Sequence, residues 1–323
     1  MPCGLDASPR VCLGFRRPRP AGTMGALFSD SCMHISLIIT TYNWPQALHL
    51  ALASVARQRR LPDELIVADD GSGPQTATVV RHWAEAIACP VRHIWQDDLG
   101  FRLARSRNRA IALARGDYIV LIDGDMILHP RFIEDHAACA RPDCFIQGAR
   151  PQLSAGSTQH MLRTGIPAVG VLRPGVTRRL YAWRSTVLSR LVSDAKYTLA
   201  GVQGCNQSFW REHFLRVNGY DERFTGWGPE DREFAARLLN IGVRRNYVRH
   251  LAIAYHLYHP PRAPAATNPF EALLTETLDG RSIRCSQGVD AHLAAANVVP
   301  RSMTRIPDPD PAVDVDLVTN AGR

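Results

Sequence analysis

Short apolar runs alternate with amphipathic stretches along the first half of the chain. The runs that predict strands lie at residues 35–39, 64–68, 91–95 and 118–122. The last run is apolar without alternation, which is typical of a strand covered on both faces of a parallel sheet. Apolar residues at helical spacing follow the first two runs, and Pro45 is predicted to open the first helix. The pattern predicts an α/β fold with an open, mostly parallel central sheet and helices on both faces.

Acidic residues stand where two of these strands end. The fourth strand stops on Asp123, Gly124 and Asp125, and the second stops on Asp69 and Asp70. Parallel sheets place ligands at the carboxyl ends of their strands. Gly124 lets the backbone turn, so that both flanking carboxylates approach one divalent cation and the diphosphate it carries. The alternative is a plain strand-to-loop turn, in which Asp and Gly are common.

An arginine-rich helix is predicted between the third and fourth strands. It follows Gly100 and includes Arg105 and Arg107 near its start. A guanidinium can bind a diphosphate through two parallel hydrogen bonds, so both side chains are candidates for that contact. A solvated helix face covered with arginine is the alternative. The first strand is not followed by Gly-x-Gly-x-x-Gly, so the pattern does not favour a dinucleotide fold, and the chain has no Gly-x-x-x-x-Gly-Lys phosphate loop either.

The second half of the chain carries another acidic pair. Pro229 is predicted as the first residue of a helix, which places Glu230 and Asp231 in its first turn. Acids there favour the helix dipole without any catalytic role, and the dipole is expected to lower the pKa of Asp231. The preceding Trp227 and Gly228 combine an indole with a small residue, and we expect them to open a sugar-sized cleft onto the carboxylates.

Two further stretches stand out. An apolar strand predicted after residue 250 ends on His256 and His259, although a lone histidine is more often structural than a ligand. Residues 150–200 contain many Gly, Pro and Arg residues, and apolar positions within 180–191 predict a helix lying on the surface. We expect this segment to be the mobile or acceptor-facing part of the protein.

Four motifs, in this order, resemble those of the family 2 glycosyltransferases with a GT-A fold. They are Ile38-Ile39-Thr40-Thr41-Tyr42-Asn43, Asp69-Asp70-Gly71-Ser72, Arg105-Ser106-Arg107-Asn108-Arg109-Ala110 and Asp123-Gly124-Asp125. The resemblance covers about residues 34–150. Residues 226–231 resemble the Trp-Gly-x-Glu-Asp motif of galactosyltransferases and of bacterial chondroitin-type polymerases, with Pro229 making the turn stiffer. The extra arginine, Arg105, leaves open which guanidinium meets the phosphates.

The resemblance implies a role for each matched residue. Nucleotide-sugar binding is implied for Thr40, Tyr42, Asp70, Arg107, Asn108 and Asp123. Metal binding is implied for Asp123, Asp125 and a strand-end histidine, with His256 favoured over His259. Asp231 is implied as the base that takes the proton of the acceptor hydroxyl. Acceptor binding is implied for Glu230, Trp227 and Gly228. Carboxylates with one imidazole suit Mn²⁺ better than Mg²⁺.

The function expected from these residues is metal-dependent, inverting glycosyl transfer. The donor is expected to be a UDP-sugar, and the acceptor a glycan or lipid-linked glycan of the lipopolysaccharide or capsule type. The sugar is a hexose or an N-acetylhexosamine, with galactose, N-acetylgalactosamine and N-acetylglucosamine all open. One alternative is a non-catalytic carbohydrate- or nucleotide-binding protein on the same scaffold. The other is a sugar nucleotidyltransferase, which needs a Gly-rich loop and a lysine after the first strand that this chain lacks.

The composition of the chain indicates which partners and which cellular compartment to expect. The chain has 323 residues, 46% of them hydrophobic, and a net charge of +8 that comes from arginine, since Lys196 is the only lysine. No basic block is interleaved with aromatic residues, so nucleic acid is not an expected partner, whereas peripheral contact with an anionic membrane is. The eight cysteines are scattered, which favours a reducing compartment and argues against a zinc site. No apolar run approaches the roughly 18 residues of a membrane span. We expect a cytoplasmic protein, peripheral at the inner face of the membrane.

The chain is expected to divide into four segments. Residues 1–32 lack periodicity and are expected to be a disordered leader, and because Met33 directly precedes the first strand, we hypothesise that translation starts downstream of residue 1. Residues 33–150 form the nucleotide-sugar-binding half and residues 151–298 the acceptor and catalytic-base half of one GT-A domain. Residues 299–323 are rich in Pro and Asp and are expected to be a disordered tail.

Overall fold

The computed structural model describes residues 33–260 and 268–298. The expected leader and tail, and the hypothesis on the translation start, lie outside the described residues. Twelve strands occupy the described residues: β1 Ile35–Thr41, β2 Glu64–Asp69, β3 Val91–Trp95, β4 Tyr118–Asp123, β5 Met126–Leu128, β6 Cys144–Gln147, β7 Gln152–Leu153, β8 Val176–Thr177, β9 Asp194–Lys196, β10 Asn206–Trp210, β11 Arg244–Tyr247 and β12 Ala254–His256.

Helices alternate with the strands in the first half of the chain and cluster in the second. Those of the described residues are α1 Pro45–Val55, α2 Pro74–Ala86, α3 Leu103–Ala112, α4 Phe132–Cys139, α5 Ala155–Thr164, α6 Arg179–Ala182, α7 Thr186–Val192, α8 Arg211–Arg216, α9 Glu230–Asn240, α10 Glu271–Asp279 and α11 Asp290–Val298. Helix α1 begins at Pro45, whose fixed φ suits a first helical position. None of the helices in the described part of the chain combines the length and apolar character needed to cross a bilayer.

The larger sheet of the described residues has eight strands in the order β3-β2-β1-β4-β10-β6-β11-β9. Strands β1 to β4 pair in parallel, as do β6 and β11, whereas β10 and β9 run antiparallel to their neighbours. Every residue of β1 is buried, as expected for a strand covered on both faces. The predicted α/β fold with a mostly parallel sheet is confirmed.

The register of the parallel strands sets the position of the acidic residues. Thr40 of β1 lies opposite Asp123 of β4, and Thr41 lies opposite Asp69 of β2. The strand ends therefore meet at one edge of the sheet. Gly124 follows at a close approach, since a Cβ there would lie 2.8 Å from the carbonyl oxygen of Thr40. Any larger residue at this position would push β4 away from β1.

A smaller sheet, of four strands within the described residues, has the order β5-β12-β7-β8. The predicted strand after residue 250 belongs to this second sheet and not to the edge of the larger one. Strand β12 runs antiparallel to β5, with His256 opposite Met126. The backbone N–H of Leu257 also donates to the carbonyl of Asp125 at 3.0 Å. The pairing brings the end of β12 to the turn that carries Asp125.

Two local predictions in the second half of the chain need correction. The surface helix predicted within 180–191 is two short helices, α6 and α7, because Ser185 lies between them and accepts the N–H of Leu188 as the cap of α7. Helix α9 begins at Glu230, with Pro229 as the preceding cap residue and not the first helical one. The face of α9 that includes Phe234 and Leu238 is buried.

Candidate active site

A cleft of about 690 Å³ opens at the carboxyl ends of β1 and β4 and extends to the first turn of α9. Ten of the residues predicted to be functional line it: Thr40, Tyr42, Asp70, Arg107, Asp123, Asp125, Trp227, Gly228, Glu230 and Asp231. Asn108 and His256 are not among its lining residues. The fold thus brings together side chains that come from both halves of the chain.

The wall formed by the first half of the chain holds its polar groups in fixed positions. Thr40 donates from Oγ1 to Asp123 Oδ1 at 2.8 Å. Asp70 accepts from the side-chain amide of Gln96 at 2.6 Å and from the N–H of Arg102 at 2.8 Å. Burial raises the pKa of Asp70, although these two bonds oppose the shift. The carboxylate of Asp70 is therefore an ordered acceptor at the cleft wall.

Asn108 was predicted to lie near the nucleotide, and the structure places it elsewhere. Its side chain is fully buried, donates to the carbonyl of Tyr220 at 2.7 Å and accepts the N–H of Tyr220 at 2.8 Å. It also donates to Glu222 Oε1 at 2.9 Å. All its polar atoms are used to fix the chain after α8, so Asn108 positions the loop that leads to α9 and does not contact the cleft.

Arg107 links the acids of the two halves. It is 1% exposed and donates to Asp123 Oδ1 at 3.2 Å and to Glu230 Oε1 at 3.1 Å. Its guanidinium also lies over the ring of Tyr220, 5.0 Å from the centroid. Burial opposes its charge, but the Tyr220 ring and the acids around it raise the pKa of Arg107 further. This arginine is therefore a permanent cation between the two acid groups.

Arg105, the other candidate for the diphosphate, does not line the cleft. It donates to Gln96 Oε1 at 2.9 Å, and its Nε lies 3.9 Å from Glu222. It is absent from the residues that line the cleft, whereas Arg107 is among them. Of the two guanidiniums, Arg107 is thus the one that lines the cleft, although its N–H groups already bond to two carboxylates.

The acids of α9 differ in their surroundings. Glu230 is buried and bonded to Arg107, whereas Asp231 is partly exposed and accepts the N–H groups of Gly204 at 2.8 Å and Arg232 at 2.7 Å. Burial raises the pKa of both carboxyls, although Arg107 opposes the shift. The expectation that the helix dipole lowers the pKa of Asp231 is therefore wrong. Loss of hydration at a cleft wall outweighs the partial charge of one helix end.

The Gly-Trp-Gly segment before α9 does not open the cleft in the way expected. A Cβ on Gly228 would lie 2.9 Å from Cβ of Phe270, and one on Gly226 would lie 2.7 Å from the same ring. Phe270 packs against both positions, so that neither has room for a side chain larger than that of glycine. The indole of Trp227 is 59% exposed and does line the cleft, as expected of an acceptor-facing side chain.

Asp125, His256 and His259 form a group whose ligand atoms lie within 4.8 Å of one another. The Nε2 atoms of His256 and His259 lie 3.3 Å and 3.6 Å from Asp125 Oδ2, and the buried Oδ1 of Asp125 has no hydrogen-bond partner. A carboxylate and two imidazoles fit a transition-metal ion such as Mn²⁺ better than Mg²⁺. Both histidines reach the group, so the preference for His256 is not decided. Asp123 lies outside it and bonds to Thr40 and Arg107 instead.

Sequence patterns gave no sign of Gly204. This residue precedes β10, and its N–H donates to Asp231 Oδ2. A Cβ at this position would lie 3.0 Å from the guanidinium of Arg107 and 3.3 Å from Cβ of Asp231. A glycine just before a strand is the one local signal, and it does not say which side chains lie beside it. Gly204 lets the backbone pass between the cation and the acid.

Comparisons with known proteins identify the family of the chain. A model of glycosyl transferase family 2 matches residues 36–214, and a model of the N-terminal domain of galactosyltransferase matches residues 187–260. Validoxylamine A glucosyltransferase of Streptomyces hygroscopicus subsp. limoneus is 28% identical over 249 residues, which are 72% of this chain and 54% of that protein. Chondroitin synthase of Escherichia coli is 29% identical over 248 residues, which are 70% of this chain and 35% of that protein.

Among solved structures, S. aureus TarS 1-349 in complex with UDP has a TM-score of 0.48 and 18% identity, covering 71% of this chain and 61% of that one. The chain spans about half the length of the first curated relative and about a third of the second. The first family model covers more than half of the chain. It confirms the predicted enzyme family and the GT-A class of the α/β fold: the chain belongs to glycosyl transferase family 2.

Proposed function

We propose that this protein is a metal-dependent, inverting glycosyltransferase that moves a hexose or an N-acetylhexosamine from a UDP-sugar to a glycan of the lipopolysaccharide or capsule type. One observation carries the proposal. Asp125, at the end of β4, and Asp231, in the first turn of α9, line one cleft, and Arg107 ties the neighbouring acids together. The relative named chondroitin synthase supports a polysaccharide acceptor.

Asp231 is the proposed base. Two backbone N–H groups orient its carboxylate, and its raised pKa makes it a stronger base than an ordinary aspartate. As the acceptor oxygen bonds to the anomeric carbon, its proton passes to Asp231. The bond between that carbon and the diphosphate oxygen breaks, and the electron pair leaves with UDP. Attack from the face opposite the leaving group inverts the anomeric centre.

Asp125, His256 and His259 are the proposed metal ligands, and Asp123 remains a predicted one. When bound, Mn²⁺ or Mg²⁺ supplies positive charge that stabilises the leaving diphosphate. The chain itself contributes the placement of the ligand groups, which the pairing of β12 with β5 fixes. It also contributes Arg107, whose charge lies between Asp123 and Glu230 and reduces their repulsion of an anionic donor.

The nucleotide is proposed to lie against Thr40, Tyr42 and Asp70. Tyr42 is about half exposed and lines the cleft, so its ring offers a face for the uracil base. Its hydroxyl donates to Asp98 at 3.0 Å, which fixes the ring from its outer end. Asp70 presents an ordered carboxylate to the hydroxyl groups of the ribose.

Release of UDP from a panel of UDP-sugars, in Mn²⁺ and in EDTA, tests the proposal. Wild type should hydrolyse at least one donor slowly in Mn²⁺ and none in EDTA, and Asp125→Ala should abolish the reaction. Asp231→Asn should retain donor binding and lose transfer to an acceptor.

Asp143→Asn is a matched control, because it removes a carboxylate that pairs with Arg244 outside the cleft. It should behave like wild type. Failure of every UDP-sugar to bind or turn over in Mn²⁺ would overturn the proposal, and a metal-independent interaction with UDP alone would favour the non-catalytic scaffold.

Peripheral contact with an anionic membrane at the cytoplasmic face remains a prediction. Its support is the surface segment of α6 and α7, where Leu180, Trp183, Val187 and Leu191 are exposed near several arginines. Such a surface suits the interface of a bilayer with anionic headgroups. Sedimentation with vesicles that contain an anionic phospholipid, but not with zwitterionic vesicles, is the expected result. Equal recovery from both would contradict the prediction.

A further inference from the structure

A second cavity of about 310 Å³, here called the arginine pocket, lies beside the active-site cleft. Its polar lining comes mainly from four arginines and two tyrosines: Arg150, Arg178, Arg245, Arg249, Tyr181 and Tyr247. Arg150 and Gln203 line both this pocket and the cleft. A molecule that occupies the pocket is therefore adjacent to the place where Asp231 and the donor meet.

The charge of the arginine pocket is not balanced within the described part of the chain. None of its described lining residues is acidic, and none of its four guanidiniums forms an ion pair with a described carboxylate. The negative charge of Asp194 favours the charged form of Arg245, but Asp194 is itself paired with Lys196 on the same strand. The lining of the pocket therefore carries an excess of positive charge.

Arg245 shows how far this charge is removed from water. Arg245 is 7% exposed, and its buried Nε has no hydrogen-bond partner. The Nε of Arg249 is also buried and without a partner. One Nη group of Arg245 donates to the carbonyl of Ala200. Burial lowers the pKa of Arg245, which reflects the cost of holding the cation there. Buried guanidinium donors without acceptors are groups that an anion can satisfy.

Tyr247 holds Arg245 and Arg249 in place. The guanidinium carbons of Arg245 and Arg249 lie 5.5 Å and 5.3 Å from the centroid of its ring. Attraction between the ring and both cations fixes the guanidiniums before any ligand arrives. With Tyr181 also lining the pocket, aromatic surface and fixed cations occur together. Sugar rings with an anionic substituent match this combination.

We propose that the arginine pocket binds an oxyanion of the acceptor glycan, either the carboxylate of an acidic sugar or a phosphate group. The link to the acceptor rests on the proposed function, whereas binding of an anion by the pocket does not. The acceptor would reach from the pocket past Arg150 and Gln203 into the cleft, with its reacting hydroxyl at Asp231. The inference predicts that neutral glycans are poorer acceptors than acidic or phosphorylated ones.

Direct binding to the full chain without donor provides the test. The probes are inorganic phosphate, a tetrasaccharide of alternating glucuronate and N-acetylglucosamine, and the neutral tetrasaccharide of N-acetylglucosamine, each titrated by calorimetry. Wild type should bind the phosphate or the acidic tetrasaccharide and not the neutral one, and the probe that binds names the source of the anion. Arg249→Gln should weaken that binding by about 10- to 100-fold, as expected for loss of a charge-assisted hydrogen bond.

Arg216→Gln is the matched control, because it removes the same charge from an exposed position outside both the pocket and the cleft. Its affinity should stay within about twofold of wild type, as is usual for a distant surface site. Arg245→Gln is a second, deeper variant, and Arg249→Gln keeps the test valid if that variant does not fold. The same affinity in wild type and Arg249→Gln, or binding of the neutral probe alone, would overturn the inference. Displacement of the anion by UDP would also overturn it, because the pocket would then serve the donor.

Donor turnover without acceptor is measured on wild type in parallel. If the anionic probe binds but no UDP-sugar turns over, the proposed function fails and the anion site stands. If UDP-sugars turn over but no anionic probe binds, the proposed function stands and the anion site fails.

Discussion

The active-site cleft and the arginine pocket lie side by side and differ in whether their charged groups form ion pairs. In the cleft, a buried arginine bonds to Asp123 and Glu230, and the partly exposed Asp231 accepts two backbone N–H groups. In the pocket, four guanidiniums lie together with no acidic partner among the described residues. The ion-paired groups of the cleft can hold their geometry before any substrate binds. The pocket arginines gain acidic partners only when an anion binds. The charges of the cleft therefore maintain the structure, whereas those of the pocket are available to a ligand.

The largest expected effect comes from removing the proposed base of the cleft. Asp231→Asn should lower the rate of transfer by about 10²- to 10⁴-fold, the usual contribution of a positioned general base. Initial rates with the active donor and an acceptor would measure it, while far-UV circular dichroism shows that the variant folds. A variant that transfers like wild type would show that another group takes the proton.

The same carboxyl should set the acidic limb of the pH profile. Because burial raises the pKa of Asp231, the ionised base is lost on acidification at a higher pH than for an ordinary aspartate, whose pKa is about 3.9. A profile of kcat/KM in saturating Mn²⁺ should therefore fall at a pH above that value. A limb at or below it would contradict the proposed surroundings of Asp231.

The next largest effect should come from removing the buried cation of the cleft. Arg107→Gln leaves Asp123 and Glu230 without their shared cation, and loss of one partner of a buried ion pair costs about 3–5 kcal/mol. Urea unfolding would measure the change. Burial raises the pKa of Glu230 and Arg107 opposes the shift, so without Arg107 the pKa should rise further. The folded variant then takes up a proton on Glu230 at a higher pH than wild type, and the loss should shrink as the pH falls.

Arg105→Gln is the control for this change. Arg105 lies two positions earlier on α3, is partly exposed and approaches Glu222 only to 3.9 Å. Its loss should cost less than about 1 kcal/mol, as for other partly exposed pairs. Equal losses for the two variants would mean that Arg107 does not balance the cleft.

A smaller effect should come from crowding the rim of the cleft. In Gly228→Ala, the new methyl group would lie 2.9 Å from Phe270 and 3.1 Å from Phe224, and such overpacking costs about 1–3 kcal/mol. Gly156→Ala in α5 is the matched control, because no atom lies within 4 Å of its added methyl. It should be neutral or slightly stabilising. Thermal unfolding of both variants would show whether the rim is packed in advance.

The smallest effect should come from the arginine pocket. Arg249→Gln removes a cation that has no acidic partner, so it should change the free energy of unfolding by less than about 1 kcal/mol, well below the change in Arg107→Gln. Urea unfolding in a buffer without phosphate or sulfate would measure it. A loss as large as that of Arg107→Gln would show that the pocket arginines hold the fold together, and the contrast between the two regions would fail.

The first half of the fold could be predicted closely from the sequence. The four predicted strands differ from β1 to β4 by at most two residues at an end, because each is a buried apolar run bounded by polar turns. The position of Asp123 and Asp70 at one edge also followed, since the carboxyl ends of parallel strands meet there.

What could not be predicted depends on contacts between distant segments. Arg107 bonds to Glu230 and Asn108 bonds to Tyr220, each more than a hundred positions later in the chain, and no local pattern encodes these contacts. The pKa of Asp231 depends on burial, which the helix-dipole argument omits. The arginines of the pocket come from separate parts of the chain, and their spacing along the sequence does not suggest that they meet.

The placement of β10 has a consequence for how the chain folds during synthesis. Strand β10 lies between β4 and β6, although both precede it by many residues in the sequence. While the ribosome is still making residues 124–205, β4 is an open edge of a partly built sheet, with unpaired backbone groups that can recruit strands from other chains. The nascent protein is therefore expected to be most prone to aggregation over this interval, and truncation before β10 should give insoluble material and not a smaller folded domain.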